Sequence, residues 1–164
     1  MSALRLVPES LTADGFAGYG DVIEARGRPD LIINAGRCGR YHDLARLDFG
    51  DGRPGLSVFD AQEVVLPHRV DLVERHPMGS QAFLPLGGAA VMLIVVAGDA
   101  GGVPSGLRAF VSAPGQGVNL QRGIWHGVLT PLGGDGQFAV IDRVGAGDNL
   151  EEYRLDPSAV VVPP

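Results

Sequence analysis

Glu74 and His76 stand two residues apart at the end of the run Val64–His76. In an extended chain successive side chains alternate between faces. Leu66, His68, Val70, Leu72, Glu74 and His76 therefore share one face, and Val65, Pro67, Arg69, Asp71, Val73 and Arg75 share the other. The first face carries apolar residues and then a carboxylate and an imidazole, an order that sets the polar pair at the mouth of a barrel interior. Such a pair can pass a proton or ligate a divalent ion. It also fits a solvated polar end of a strand. Pro77–Ser80 reads as a turn that folds Gln81 back toward the pair.

The elements that must position these residues read as strands. Strand-sized runs cover Asp21–Glu24, Leu31–Asn34, Leu56–Phe59, Val64–His76, Gln81–Leu86, Ala90–Ala97, Leu107–Ser112, Gly117–Leu120, Ile124–Leu129 and Phe138–Asp142. Gly87-Gly88, Gly98–Gly106, Pro114-Gly115, Pro131–Gly136 and Gly145–Gly147 separate them at the spacing of a sandwich or barrel. Leu11–Ala17, with Glu9 or Ser10 as its cap, is a short helix interrupted by Gly15. The tail Pro157–Pro164 is a last edge strand or a frayed end. No strand–helix alternation, repeat or linker is visible, so one all-β domain over residues 1–164 is expected.

Composition narrows the partners. The 13 basic residues, all Arg, against 19 acidic ones give a net charge of −6, the wrong sign for nucleic acid or an anionic membrane. Without Lys, Schiff-base chemistry on a lysine amine is excluded. Cys38 is the one cysteine, so neither an intrachain disulfide nor a four-cysteine zinc site can form, and a reducing cytoplasm is the expected location. The longest apolar run, Ala89–Ala97, is too short to span a bilayer.

The chain resembles the cupins. Their first metal motif reads G-x5-H-x-H-x3,4-E-x6-G, and this sequence offers Glu74-x-His76-x4-Gln81-x6-Gly88. The spacing fits, with Glu for the first His, Gln for the Glu, and His68 at the leading Gly. The second motif, G-x5-P-x-G-x2-H-x3-N, is echoed by Gly123-Ile124-Trp125-His126, with Gln121 at the Pro and no trailing Asn. The resemblance implies a cupin-like β-barrel (double-stranded β-helix, or jelly roll) with one or two short helices. It also implies that Glu74, His76, Gln81 and His126 hold one divalent ion such as nickel, zinc, manganese or iron. His68 reads as a pocket-lining histidine and Trp125 as a core or rim aromatic.

A narrower resemblance rests on Phe16-Ala-Gly-Tyr-Gly-Asp-Val-Ile-Glu24, Arg40-Tyr-His-Asp-Leu-Ala45, the block from Glu74 to Gly87, Arg108-Ala-Phe110, Gln116-Gly-Val-Asn119, Trp125-His126 and Ile141-Asp-Arg143. In these the chain is similar to the ureidoglycolate lyase family of allantoin breakdown. That implies release of urea from (S)-ureidoglycolate to leave glyoxylate, a homodimer and an association with nickel. Splitting such a molecule needs a base for its hydroxyl, a donor for the departing nitrogen and an anchor for its carboxylate. His126, His76 and Glu74 are the expected catalytic residues. Arg40, His42, His68, Arg108 and Arg143 are the expected substrate contacts, with Arg122 a further guanidinium able to grip a carboxylate. Two rival readings remain: a cupin that binds a small carboxylate without catalysis, and a metal-dependent cupin isomerase or dioxygenase.

Overall fold

The computed structural model describes residues 3–164. In chain order the elements are β1 (Leu4–Leu6), β2 (Glu9–Ser10), α1 (Ala13–Phe16), β3 (Gly20–Ile23), β4 (Leu31–Ile33), β5 (Cys38–Arg40), β6 (Arg53–Asp60), β7 (His68–Arg75) and β8 (Gln81–Pro85). They continue with β9 (Val91–Asp99), β10 (Pro104–Val111), β11 (Gly117–Leu120), β12 (Trp125–His126), β13 (Thr130–Gly133), β14 (Gln137–Val144) and β15 (Glu151–Val161). One sheet runs β1-β15-β7-β12-β9-β10-β2, with β13 also on β9; a second runs β3-β11-β8-β14-β6; β4 and β5 form a separate hairpin. The large sheet curls over the second to make a cupin-like β-barrel.

Strand β9 shows why the barrel holds together. Its residues Met92 to Ala97 are all buried, because the two faces of the strand serve two cores. Met92, Ile94 and Val96 point into the barrel with Phe83, Val118, Leu120, Phe138 and Val140. Leu93, Val95 and Ala97 pack on the outer side with Val70, Val73, Trp125, Ala159 and Val161. An unbroken apolar run is what a strand between two cores requires.

Helix α1 is a single turn, capped by Thr12, whose hydroxyl accepts from the Gly15 amide at 3.1 Å. Its work is to place Phe16, fully buried, edge-on against Phe110 with ring centroids 5.5 Å apart, which adds Phe16 to the barrel core. The cap is thus Thr12 and not Glu9 or Ser10, which instead form β2 beside β10. The valine-rich tail is no frayed end: β15 pairs with both β7 and β1, and Ala159 and Val161 are buried.

Two runs differ from their sequence reading. Ile124–Leu129 is not one strand; β12 ends at His126 and pairing with β9 resumes at Thr130. Val64–Pro67 lies outside β7, and alternation along β7 breaks near Val70, which joins Val73 in the outer core. The partner strand β15 shifts register between Arg154 and Ala159, opposite this point. Replacing Phe138, a fully buried member of the barrel core, with Ala should cost about 3–5 kcal/mol by urea denaturation and lower Tm by roughly 10 °C. A change under about 1 kcal/mol would mean that this core is not packed as described.

Candidate active site

Three elements bring the polar cluster together. Glu74 sits on β7 directly opposite His126 of β12, His76 follows the end of β7, and Gln81 opens β8. Ligand atoms of Glu74, His76 and His126 lie within 4.8 Å of one another. The two imidazole rings are 5.3 Å apart between centroids.

The two histidines are held in the same way. His76 Nδ1 lies 2.7 Å from the Asn149 carbonyl oxygen, and His126 Nδ1 lies 3.0 Å from that of Gly127. A carbonyl only accepts, so each ring keeps its proton on Nδ1 and offers Nε2. His76 Nε2 turns to Gln81 Oε1 at 3.0 Å and lies 3.9 Å from Glu74 Oε1. His126 Nε2 is buried without a hydrogen-bond partner. An orphaned nitrogen beside a second imidazole and a carboxylate fits a divalent ion, whose usual histidine ligands donate their other ring N–H to a carbonyl.

The backbone that carries His76 is fixed by Asn149 a second time, since its side-chain oxygen accepts from the Met78 amide at 2.8 Å. Gly79 completes the turn, where a Cβ would meet the Asp48 carbonyl at 2.8 Å. On the opposite face, Arg75 stacks 4.4 Å from the Trp125 ring centroid and bonds Asp99 and Glu151 at 2.9 and 2.6 Å. Trp125 Nε1 donates to the same Asp99 at 2.9 Å. That clamp joins the residues next to His126 and Glu74.

Burial pushes Glu74 and His126 toward neutrality. It raises Glu74 above the ordinary carboxylate range, partly offset by His76, with the Glu152 charge adding to the rise. It lowers His126 to about 4, with His76 adding to the drop and the Gly127 hydrogen bond opposing it.

Glu74 opens onto a cleft of about 390 Å³ lined by Phe59, Asp60, Ala61, Phe83, Val128 and Leu129. Of the expected substrate contacts, Arg108 grips Glu9 through two bonds of 3.0 and 2.8 Å, and Arg143 is buried against Asp51 at 2.6 Å. Arg122 makes a matching fork to Asp48 at 2.8 and 2.6 Å. Arg40 ends the β4–β5 hairpin and His42 follows it, both exposed. His68 lines a separate groove with Leu72, Gly127 and Thr130. No arginine lines the cleft at Glu74.

A barrel of this kind, with imidazoles and a carboxylate converging in its interior, is of the cupin class. The family model for ureidoglycolate lyase matches residues 3–162. The chain is 62% identical over 152 residues to the ureidoglycolate lyase of Rhodobacter capsulatus, covering 92% of this chain and 94% of the relative. It is 46% identical over 151 residues to that of Chelativorans sp. (strain BNC1), covering 91% of each. To ureidoglycolate lyase 2 of Rhizobium meliloti it is 48% identical over 145 residues, covering 87% of this chain and 88% of the relative. The chain belongs to the ureidoglycolate lyase family.

The depressed His126 gives a pH signature in metal-free protein. The unfolded chain takes up a proton near pH 6.5 and the folded one only near 4, so this contribution is complete above pH 6.5 and is lost as pH falls toward 4. Urea-unfolding free energies should therefore fall more steeply across that window in the parent than in His126→Gln. Parallel curves would contradict a buried neutral imidazole.

Proposed function

We propose that this protein is a lyase that splits (S)-ureidoglycolate into glyoxylate and urea at the Glu74, His76 and His126 cluster. The observation that carries the reading is the convergence of two Nδ1-anchored imidazoles and Glu74 beside a small cleft, in a member of the ureidoglycolate lyase family.

The residues can be given work in that reaction. The substrate hydroxyl loses its proton, its O–H electron pair becomes the carbonyl of glyoxylate, and the C–N bond pair leaves with nitrogen as urea. Glu74 lines the cleft and burial raises its affinity for a proton, so its carboxylate can take the hydroxyl proton and return it to the departing nitrogen. One proton moves from oxygen to nitrogen and none is consumed. His126 is buried and kept neutral, which suits a fixed donor of a lone pair better than a group that meets substrate. Phe59 and Phe83, stacked edge-on at 6.2 Å, bound the cleft with apolar surface, which strengthens electrostatics inside it.

A divalent ion held by His76 and His126, with Gln81 Oε1 beside them and Glu74 left free to move the proton, would supply positive charge to the substrate's oxygens and make its hydroxyl more acidic. That charge matters here, because Arg108, Arg122 and Arg143 are already paired with carboxylates.

The chain is further proposed to work as one domain and as a cytoplasmic homodimer. The β9 run shared by both cores supports the first, and the unpaired Cys38 fits a reducing compartment. Among the described residues no helix is long and apolar enough to cross a membrane. With β15 paired on both sides, the apolar surface left for a second copy includes Leu56 and Val58, 74% and 62% exposed on β6. Light scattering at micromolar concentration should give twice the 17.1 kDa chain mass, and a lone 17.1 kDa species overturns the dimer.

Purified protein should release urea and glyoxylate from ureidoglycolate well above spontaneous decay. Glu74→Gln, His76→Ala and His126→Ala should each lower turnover by about 100-fold or more while far-UV circular dichroism stays that of a β protein. No urea beyond spontaneous decay, with or without added nickel or manganese, refutes the lyase and favours a barrel that only binds small carboxylates. Exhaustive chelation with full retention of activity refutes the metal alone.

A further inference from the structure

Asp142 stands on β14 opposite the first residue of β8, and its carboxylate oxygen Oδ2 accepts from Gln81 Nε2 at 3.2 Å. The other end of the same amide faces His76 Nε2 at 3.0 Å. Gln81 is 5% exposed, so its amide has little room to find other partners. An amide seated between an imidazole and a carboxylate has two orientations, and they differ in chemistry. An ionised carboxylate offers lone pairs and no proton, so the NH2 group must face it. The carbonyl oxygen is then turned into the cluster.

We propose that Asp142 is a positioning residue: by accepting from the Gln81 amide, it makes Gln81 present an oxygen, and not an NH2 group, to His76 and the space between the two imidazoles. This rests on reading Glu74, His76, Gln81 and His126 as one working cluster. An NH2 group there would donate to His76 Nε2 and occupy the lone pair that the cluster offers. It also could not ligate a cation. Asp142 thereby decides which end of the Gln81 amide faces His76. It explains the amide at position 81 as well. A carboxylate at 81 would place two negative groups about 3 Å apart in a half-buried site, where at least one would have to take a proton.

A reciprocal exchange tests the inference. Asp142→Asn lets the new amide donate to Gln81 and frees the Gln81 side chain to flip. Gln81→Glu sets two carboxylates against each other. The double variant Q81E/D142N restores one hydrogen bond with donor and acceptor exchanged and keeps an oxygen toward His76. Each single change should lower urea release by roughly 10- to 100-fold, as loss of an orienting partner does, and the double should recover most of that loss. The His76 ring 15N signals should move in Asp142→Asn and return toward the parent pattern in the double variant. Losses that simply add in the double variant, or unchanged His76 signals in Asp142→Asn, overturn the positioning role. If Gln81→Glu does not fold, the His76 signals of Asp142→Asn decide alone. If the parent releases no urea, the lyase reading fails, while the ring signals still judge Asp142.

Discussion

The register that sets His126 opposite Glu74 is the constraint on which the site depends. It is carried by β12, a strand of two residues between β7 and β9. Two residues of ladder hydrogen bonding could not hold it alone, since each such bond contributes only about 1 kcal/mol net. The weight falls on Trp125, 2% exposed, whose ring packs in the outer core, receives Arg75 on its face and donates to Asp99. Arg75 is flanked in sequence by Glu74 and His76, so the clamp on one face of the strand fixes the chemistry on the other. Beyond His126 regular pairing lapses before Thr130, although the Gly127 amide still donates to the Val95 carbonyl at 2.8 Å, and the Gly127 carbonyl accepts from the ring of His126.

Desolvation sets the charge of the cluster. Burial disfavours both the carboxylate form of Glu74 and the imidazolium form of His126, so each is pushed toward its neutral state from opposite directions. A neutral imidazole has a lone pair to give, and a carboxylate whose proton affinity is raised by burial is a better base. The surrounding arginines do not undo this, because Arg108, Arg122 and Arg143 spend their charge on Glu9, Asp48 and Asp51. Their role in the fold is to tie segments distant in sequence: Arg122 reaches the 48–51 loop, and Arg108 holds β2 to β10.

Much of this was legible in the sequence, for identifiable reasons. Period-two alternation is local, so Glu74 and His76 fell on one face as the pattern required. The glycine and proline punctuation delimited most strands, and Gly117–Leu120 matched at both ends. His68 left the face of Glu74 because β15 shifts register opposite Leu72 and Val70, a tertiary effect that a single strand's pattern does not encode. The break after His126 has the same origin, since Ile124–Leu129 reads as one strand-sized run while its pairing is decided by β9. Asn149 lies in no strand run, and Asp142 shares the face of Phe138 and Val140 without showing its partner. Asn149 reaches His76 with a main-chain carbonyl, and any residue supplies one. For Arg108, Arg122 and Arg143 the sequence shows a guanidinium and not the carboxylate it pairs with.

The donor set makes sense as a rearranged charge count. The cupin motif places its carboxylate third among four ligands, and here that place holds Gln81 while Glu74 stands first. One carboxylate and two imidazoles are retained, so the electrostatic balance of the interior is little changed by the exchange. What changes is where the negative charge lies. At position 81 it would have faced Asp142, away from the cleft; at 74 it lines the cleft beside Phe59 and Phe83. A carboxylate that meets the substrate can move a proton, whereas one locked behind the imidazoles could only hold them. The relocation therefore gives the same charge a second use, and it requires a neutral amide at 81 held in one orientation by the carboxylate behind it.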